Sequence, residues 1–373
     1  MDFEKTEEQK LLTHSIERLA SDFYSDANRS TTTQSGEGLN DKAWKVMAEL
    51  GLLALPFSEE IGGFGGKDAD ISCVMIELGK KITSEPLLPG PILAGGLLER
   101  LGTDEQIEEW APRIIEGSAH LGLAHAETDA RFNLRHVETS YAPNGRGMKL
   151  SGRKTFVLGA ADADGYIISA KARTQSKNPD NDHASFFLVR ADAEGLKKKH
   201  YRLMDGSSAC EIELTDTYGE PMTGGDFNDF ISHIAKVKIA ICSEILGVME
   251  TIFYTTLDYL KTRSQFGRTL SKFQVIQHRM ADLYISLELS QSHLDRMLSL
   301  DPAAPNYTNE ISGSKSFISE AAIKLGQEAV QLHGGIGVTD ELLIGHGLKR
   351  IHVLASLFGN PETELLHSIT TQE

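Results

Sequence analysis

Ile234-Ala-Lys-Val237-Lys-Ile-Ala-Ile241-Cys-Ser-Glu-Ile245-Leu-Gly-Val248-Met-Glu-Thr-Ile252 sets its large aliphatic residues at steps of three and four, the period of one buried helix face. Phe273, Ile276, Met280, Leu283 and Leu287 repeat that spacing. Two long helices with a turn near 262–272, a second turn near 300–310 and a third helix over 311–332, stopped at Gly334-Gly335, predict an antiparallel C-terminal bundle.

Working back toward the N-terminus, the texture changes. Between 121 and 218 the apolar runs are short: Leu121–Ala126, Tyr166–Ala170, Phe186–Val189 and Ile212–Leu214. Turn signals such as Ala142-Pro-Asn-Gly, Leu150-Ser-Gly and Lys177-Asn-Pro-Asp-Asn-Asp separate them, which is how antiparallel strands read. Before that, Thr6 with Gln9 forms a capping box ahead of Leu12, Ile16, Leu19 and Phe23. A polar break covers Ser30 to Asn40, and Asp41 is placed to cap a helix carrying Trp44 and Met47 that stops at Gly51. Gly62-Gly63-Phe64-Gly65-Gly66 reads as a loop, residues 67–82 as a helix, and Pro86, Pro89 and Pro91 as an interruption. Thr103 with Gln106 opens one more helix before Pro112. The fold class is thus mainly α with a central β domain: an N-terminal helical domain over 1–120, a middle antiparallel β domain over 121–222 and a C-terminal four-helix bundle over 223–373.

The chain has 373 residues, with 37 basic against 53 acidic side chains and a net charge of −16. That balance argues against a nucleic-acid partner, since a phosphate backbone needs a basic surface. No run reaches the ~18 apolar residues of a membrane span. The acidic start, Met-Asp-Phe-Glu-Lys, differs from a basic targeting segment, so a cytoplasmic setting is expected. Cys73, Cys210 and Cys242 lie far apart, indicating neither a disulfide framework nor a zinc site.

Lys261-Thr-Arg263-Ser-Gln265-Phe266-Gly267-Arg268, with Lys272 beyond, concentrates cations in an acidic chain. Arg263 suits bidentate contact with a phosphate and Phe266 suits an aromatic ring, although a solvated interhelical turn has the same composition. Gln331-Leu-His333-Gly334-Gly335-Ile-Gly337 ends a helix in three glycines, where a backbone can approach a ligand or simply stop. Neither stretch is a GxGxxG after a strand or a Walker loop. His333, His346, His352 and His367 have no HExxH spacing, and no metal site is expected. No GxSxG or Cys/His nucleophile pair occurs.

Arg263-Ser-Gln-Phe-Gly-Arg, Phe273-Gln274-Val-Ile-Gln-His-Arg-Met-Ala-Asp282 and Gln331-Leu-His-Gly-Gly-Ile-Gly, in that order, resemble the acyl-CoA dehydrogenase family. Leu52-Leu-Ala-Leu-Pro-Phe-Ser-Glu-Glu-Ile-Gly-Gly-Phe-Gly-Gly, Leu150-Ser-Gly-Arg-Lys-Thr-Phe156 and Leu260-Lys-Thr-Arg263 extend the resemblance over the whole chain. Phe358-Gly359-Asn360 looks most like the divergent branch that includes the small subunit of pimeloyl-CoA dehydrogenase and steroid-catabolic relatives.

The resemblance implies FAD held between β domain and bundle and completed by a neighbouring subunit, with α,β-dehydrogenation of an acyl-CoA thioester and a protein electron acceptor. On that pattern Arg263, Gln265 and Phe266 meet the pyrophosphate and adenine side with Gln274 nearby, and Gln331, Gly334 and Gly335 reach the FAD of a dimer partner. The chemistry needs a carboxylate to take the α proton. Here Gly359 stands at the usual base position and Val237 at the second. Glu244, two turns beyond Val237, and Glu362, three residues past Gly359, are the nearby carboxylates that could substitute, but a helix salt bridge is the favoured reading for Glu244 and a solvated tail for Glu362. Ala126 and Leu158 occupy positions where polar side chains touch the flavin ring. Three readings follow: a subunit working in a heteromer whose partner supplies the Glu, a homo-oligomer with a relocated base, or a non-catalytic acyl-CoA-binding subunit. The catalytic residue and the acyl group are left open.

Overall fold

Thr6 opens the first helix as its capping box predicts: Gln9 N donates to Thr6 Oγ1 at 3.2 Å and Thr6 N to Gln9 Oε1 at 3.0 Å, satisfying amides that a helix start leaves bare. The computed structural model describes residues 5–24, 40–83, 85–144, 147–160, 162–173 and 183–370. The turn at Lys177-Asn-Pro-Asp-Asn-Asp, Gly145 and the break over residues 30–39 lie outside these. The helices ahead of the sheet are α1 (Glu7–Phe23), α2 (Asp41–Glu49), α3 (Asp68–Lys81), α4 (Gly96–Leu101) and α5 (Asp104–Ile115).

Three details of the helices ahead of the sheet differ from the sequence reading. Asn40, not Asp41, caps α2, its Oδ1 accepting from Ala43 N at 3.2 Å. The prolines at 89 and 91 do not break the chain into a loop: Leu88–Gly95 winds as a buried π-helix leading straight into α4. Pro89 sits in the first turn, where no amide is needed, and Ile92 N reaches Leu87 O at 3.2 Å. Pro112 likewise lies inside α5; the amide it lacks would have served Glu108, which is exposed and solvated.

The strands are β1 (Leu121–Ala124), β2 (Ser140–Asn144), β3 (Gly147–Leu158), β4 (Gly165–Ala172), β5 (Ser185–Arg190), β6 (Leu196–Arg202) and β7 (Ser208–Met222). They form one sheet in the order β1-β4-β2-β3-β7-β5, with β6 on β7; a further β4–β5 pairing closes it on itself. Pairing is antiparallel except where β4 meets β1 and β2. Leu150, Val157, Tyr166, Ile168, Phe187, Val189 and Ile212 fill the core, the inward half of each strand's alternation.

After the sheet come α6 (Phe227–Thr262), the hairpin β8 (Ser264–Gln265) with β9 (Arg268–Thr269), α7 (Gln274–Ser299), α8 (Tyr307–His333), α9 (Leu343–Ser356) and α10 (Pro361–Ile369). Helix α8 is the axis on which α7, α9 and α10 pack, with Ile311, Ile318, Ala322 and Leu325 fully buried. The chain separates into two compact units, one of Met1–Gly36, Asp68–Thr83 and Lys238–Glu373, the other of Glu37–Lys67 and Ser84–Val237. In the first, Ser72 and Ser243 hydrogen-bond at 2.8 Å in the interior. Among the described residues no helix is long and apolar enough to cross a membrane.

Candidate functional site

At the end of helix α6 the Thr262 hydroxyl takes up two of the last carbonyls, Oγ1 donating to Asp258 O at 3.2 Å and Tyr259 O at 3.1 Å. The β8–β9 hairpin then reverses through Phe266 and Gly267 at φ +53° and +78°, the left-handed pair of a tight hairpin turn. Gly267 adopts this freely; a phenylalanine there is strained, and its ring is 89% exposed. Leu270 N closes the turn on Arg263 O at 2.9 Å.

The two arginines of this turn differ in their engagement. Arg268 lays its guanidinium over the Phe273 ring at 4.1 Å. Arg263 is exposed and makes no ion pair among the described residues. Gln265 is exposed in the hairpin, and Gln274, also exposed, begins α7.

The glycine turn belongs to the same unit. Gln331 is exposed in the last turn of α8, and Gly334 ends the helix at φ +66°. A Cβ on Gly334, Gly335 or Gly267 would meet no atom within 4 Å, so the glycines front open space. Tyr259 links the two turns: its carbonyl accepts from Arg263 N at 2.8 Å, its ring stacks on His333 at 4.3 Å, and its hydroxyl donates to His333 O at 3.4 Å. Sequence reasoning missed Tyr259, although its place one helical turn before Arg263 is a usable signal.

These features fit the adenosine-diphosphate half of FAD: an uncommitted guanidinium for the pyrophosphate, a bared aromatic ring and a glycine cradle. Ala126 and Leu158, the residues expected at the flavin ring from the resemblance, belong to the other unit. Ala126 is exposed just past β1, its carbonyl already taken by Thr155 N at 2.8 Å. Leu158 ends β3 after an irregularity between Lys154 and Val157, where Phe156 has φ +53°. Neither side chain brings a hydrogen-bonding group to a flavin ring.

The same unit buries an ion pair that the sequence does not announce. Lys154 Nζ is wholly buried and donates to Glu127 Oε1 at 2.7 Å, Ser169 Oγ at 2.9 Å and His125 O at 3.2 Å. Burial pulls the Lys154 ammonium down to about 8 against the opposing pull of Glu127. Burial pushes Glu127 up, but Lys154, Thr139 and Glu138 N outweigh it and leave the carboxyl below its ordinary value. Glu127 comes close to His136 and Glu138, but the Lys154 ammonium already occupies it, which disfavours a cation there.

The structure also places the two positions where the resemblance leads one to expect a base. Gly359 follows Phe358 with φ +137° and +57°. Val237 is 1% exposed inside α6. Glu244 is buried and held by Arg350, whose Nε donates to Oε1 at 2.6 Å. Glu362 is exposed in the first turn of α10, on a groove with Ser316, Glu320 and Lys324.

Comparison with known proteins gives this arrangement its class. Family models for the N-terminal, middle and C-terminal domains of acyl-CoA dehydrogenase match residues 6–118, 122–217 and 227–370. The chain is 29% identical over 364 residues, 94% of its length, to "Probable acyl-CoA dehydrogenase YngJ" of Bacillus subtilis, covering 93% of that protein. To "Caffeyl-CoA reductase-Etf complex subunit CarC" of Acetobacterium woodii it is 30% identical over 366 residues, 94% of this chain and 95% of that one. A solved variant of the "Tcur3481-Tcur3483 steroid ACAD" superposes with a TM-score of 0.87 at 25% identity, covering 97% of this chain and 96% of that one. The chain belongs to the acyl-CoA dehydrogenase family. Its fold is that family's, and its class is the FAD-dependent oxidoreductases that act on CH–CH groups.

Proposed function

We propose that this chain is the base-lacking subunit of a heteromeric acyl-CoA dehydrogenase, in which a homologous partner supplies the proton-abstracting Glu and completes the flavin site. The observation that carries the reading is the pairing of an intact phosphate-side surface, Arg263, Gln265, Phe266, Gln274, Gln331, Gly334 and Gly335, with Gly359 and Val237 at both base positions. A pure scaffold has no use for the first set, and a self-sufficient dehydrogenase needs a carboxylate in the second. Glu244 does not replace it, since Arg350 holds that carboxylate in the interior.

In this reading Arg263 pairs with the pyrophosphate, Phe266 covers the adenine side and the Gly334-Gly335 backbone approaches the cofactor of the partner. FAD, when bound, supplies the two-electron oxidising power for desaturation at the CH–CH bond. The α proton goes to the partner's carboxylate, because residues 359 and 237 have no group to receive it. Phe358-Gly359-Asn360 supports placement in the branch of the pimeloyl-CoA dehydrogenase small subunit and steroid-catabolic enzymes. CarC, named as a subunit of an Etf complex, and the steroid enzyme's double designation support an electron-transfer partner and a two-chain assembly. The free, buried cysteines Cys73, Cys210 and Cys242 suit a cytoplasmic setting. The chain reads as three domains, 1–120, 121–222 and 223–373.

The test is flavin stoichiometry. Expressed alone, the chain is expected to copurify with less than one FAD per polypeptide, and co-expressed with a homologue that keeps the Glu, with more. Full and tight occupancy in the isolated chain would remove the argument for a partner.

A further inference from the structure

Position 359 is closed to a side chain, and the group that closes it is Glu364. An ideal Cβ on Gly359 would lie 2.2 Å from Glu364 Oε1, 2.9 Å from its Cδ and 3.0 Å from its Cγ. A flexible carboxylate at the surface would swing aside. Glu364 is fully buried, and Lys238 Nζ donates to its Oε2 at 2.8 Å. Lys315, also fully buried, holds its Nζ 4.0 Å from Glu364 Oε1. The same Nζ donates to Gly359 O at 2.5 Å and to Ala355 O at 3.3 Å.

The arrangement is self-consistent. Two buried ammonium groups flank one carboxylate, so moving the carboxylate leaves both cations without their counter-charge. Lys315 donates to Ala355 O in the last turn of α9, while Glu364 lies in the first turn of α10, each charge placed where the adjacent helix end favours it. Ser312 Oγ accepts from Lys238 Nζ at 3.3 Å, and Ser316 Oγ donates to Pro361 O at 2.7 Å, which fixes both sides of the segment. Glu364 itself is not a substitute base: enclosed and ion-paired, it has no face to offer a substrate.

We infer that Lys238, Glu364 and Lys315 form a built lock that commits the Phe358–Asn360 segment to glycine at 359. The absence of a base is then a property of the packing around that position, and a single substitution does not restore it. Glu364 acts as a positioning residue through Gly359. The functional meaning rests on the proposal that residue 359 is the base position; the physical lock does not.

Urea unfolding of the full chain tests it with Gly359→Ala, Glu364→Asp, Glu364→Gln and the two double variants. Gly359→Ala is expected to lower the folding equilibrium constant about 30-fold when residue 364 is Glu, from clash plus the positive φ. With Glu364→Asp, whose carboxylate is withdrawn by one methylene, that factor should shrink about tenfold. With Glu364→Gln, which keeps the atoms but drops the charge that Lys238 and Lys315 hold, the factor should shrink as well, and a factor unchanged in both the Asp and Gln backgrounds would overturn the lock. If Gly359→Ala fails to fold while Gly359→Ala/Glu364→Asp folds, the lock is supported. Equal factors in the Glu and Asp backgrounds, or a double variant that fails where Glu364→Asp folds, would overturn it and leave the backbone angle as the sole constraint. Stability is the readout, so a failure here is distinct from a failure of the proposed base assignment, which only turnover addresses.

Discussion

Phe266 holds φ +53° and is 89% exposed while its ring meets Phe273 edge-on at 6.2 Å, a small packing return for a strained backbone. Its conformation costs on the order of 1–3 kcal/mol, offset by the hairpin's hydrogen bonds and, on this account, by a ligand. Phe266→Gly is therefore expected to stabilise the free chain by about 1 kcal/mol while weakening flavin retention, read from a urea midpoint and from bound FAD after gel filtration. A loss of stability would show that the ring is part of the turn's own packing. Arg263 and Arg268 supply a paired prediction. Arg268 is spent on Phe273, so Arg263→Ala should weaken FAD binding by ~1.5–3 kcal/mol and Arg268→Ala by much less, as measured by flavin titration. Equal effects would reduce the cationic turn to a solvated corner.

At the scale of elements, the second unit buries two histidines in the neutral form. Nε2 of His233 donates to Ile92 O and Leu93 O at 3.1 and 3.0 Å, tying α6 to the π-helix. Burial, then the Arg100 charge, drives its pKa from 6.5 to about 3. Burial, then Lys154, does the same to His125. Their contribution to stability is complete above pH 6.5 and is lost as pH falls from there toward 3, since the unfolded chain takes up the protons first. Each should add a slope of up to ~1.4 kcal/mol per pH unit. Urea unfolding at pH 7 and pH 5 should show that His125→Gln flattens the slope; an unchanged slope would mean the ring is protonated in the fold.

What was legible in the sequence follows from the range of each interaction. Capping boxes at Thr6 and Thr103, helical periods and the Gly334 stop are local, and the structure reproduces them. The π-helix through Pro89 and Pro91 was not legible, because winding there depends on complete burial. The parallel pairing of β1 with β4 joins Leu121 to Gly165 across intervening segments, where turn chemistry carries no signal. At the site, the cationic and glycine turns were visible as residue types in order. Tyr259 between them, the Lys154–Glu127 pair and the Glu364 lock were not, because each depends on a contact made only after folding.

At the scale of the whole molecule, the central claim is that this family member brings a cofactor-binding surface but no base. Neither Gly359 nor Val237 ionises, Glu244 is held by Arg350, and Glu364 is sealed in its lock. Loss of a general base costs ~10²–10⁴-fold in rate. The most direct measurement is dehydrogenation of saturated acyl-CoA thioesters with an artificial electron acceptor, using the FAD-supplemented chain alone and co-assembled with a homologue that keeps its Glu. The account predicts negligible turnover alone, turnover in the co-assembly, its loss when the homologue's Glu is replaced, and little effect of Glu244→Gln or Glu362→Gln in this chain. Substantial turnover by the isolated chain, abolished by either of those two substitutions, would contradict it.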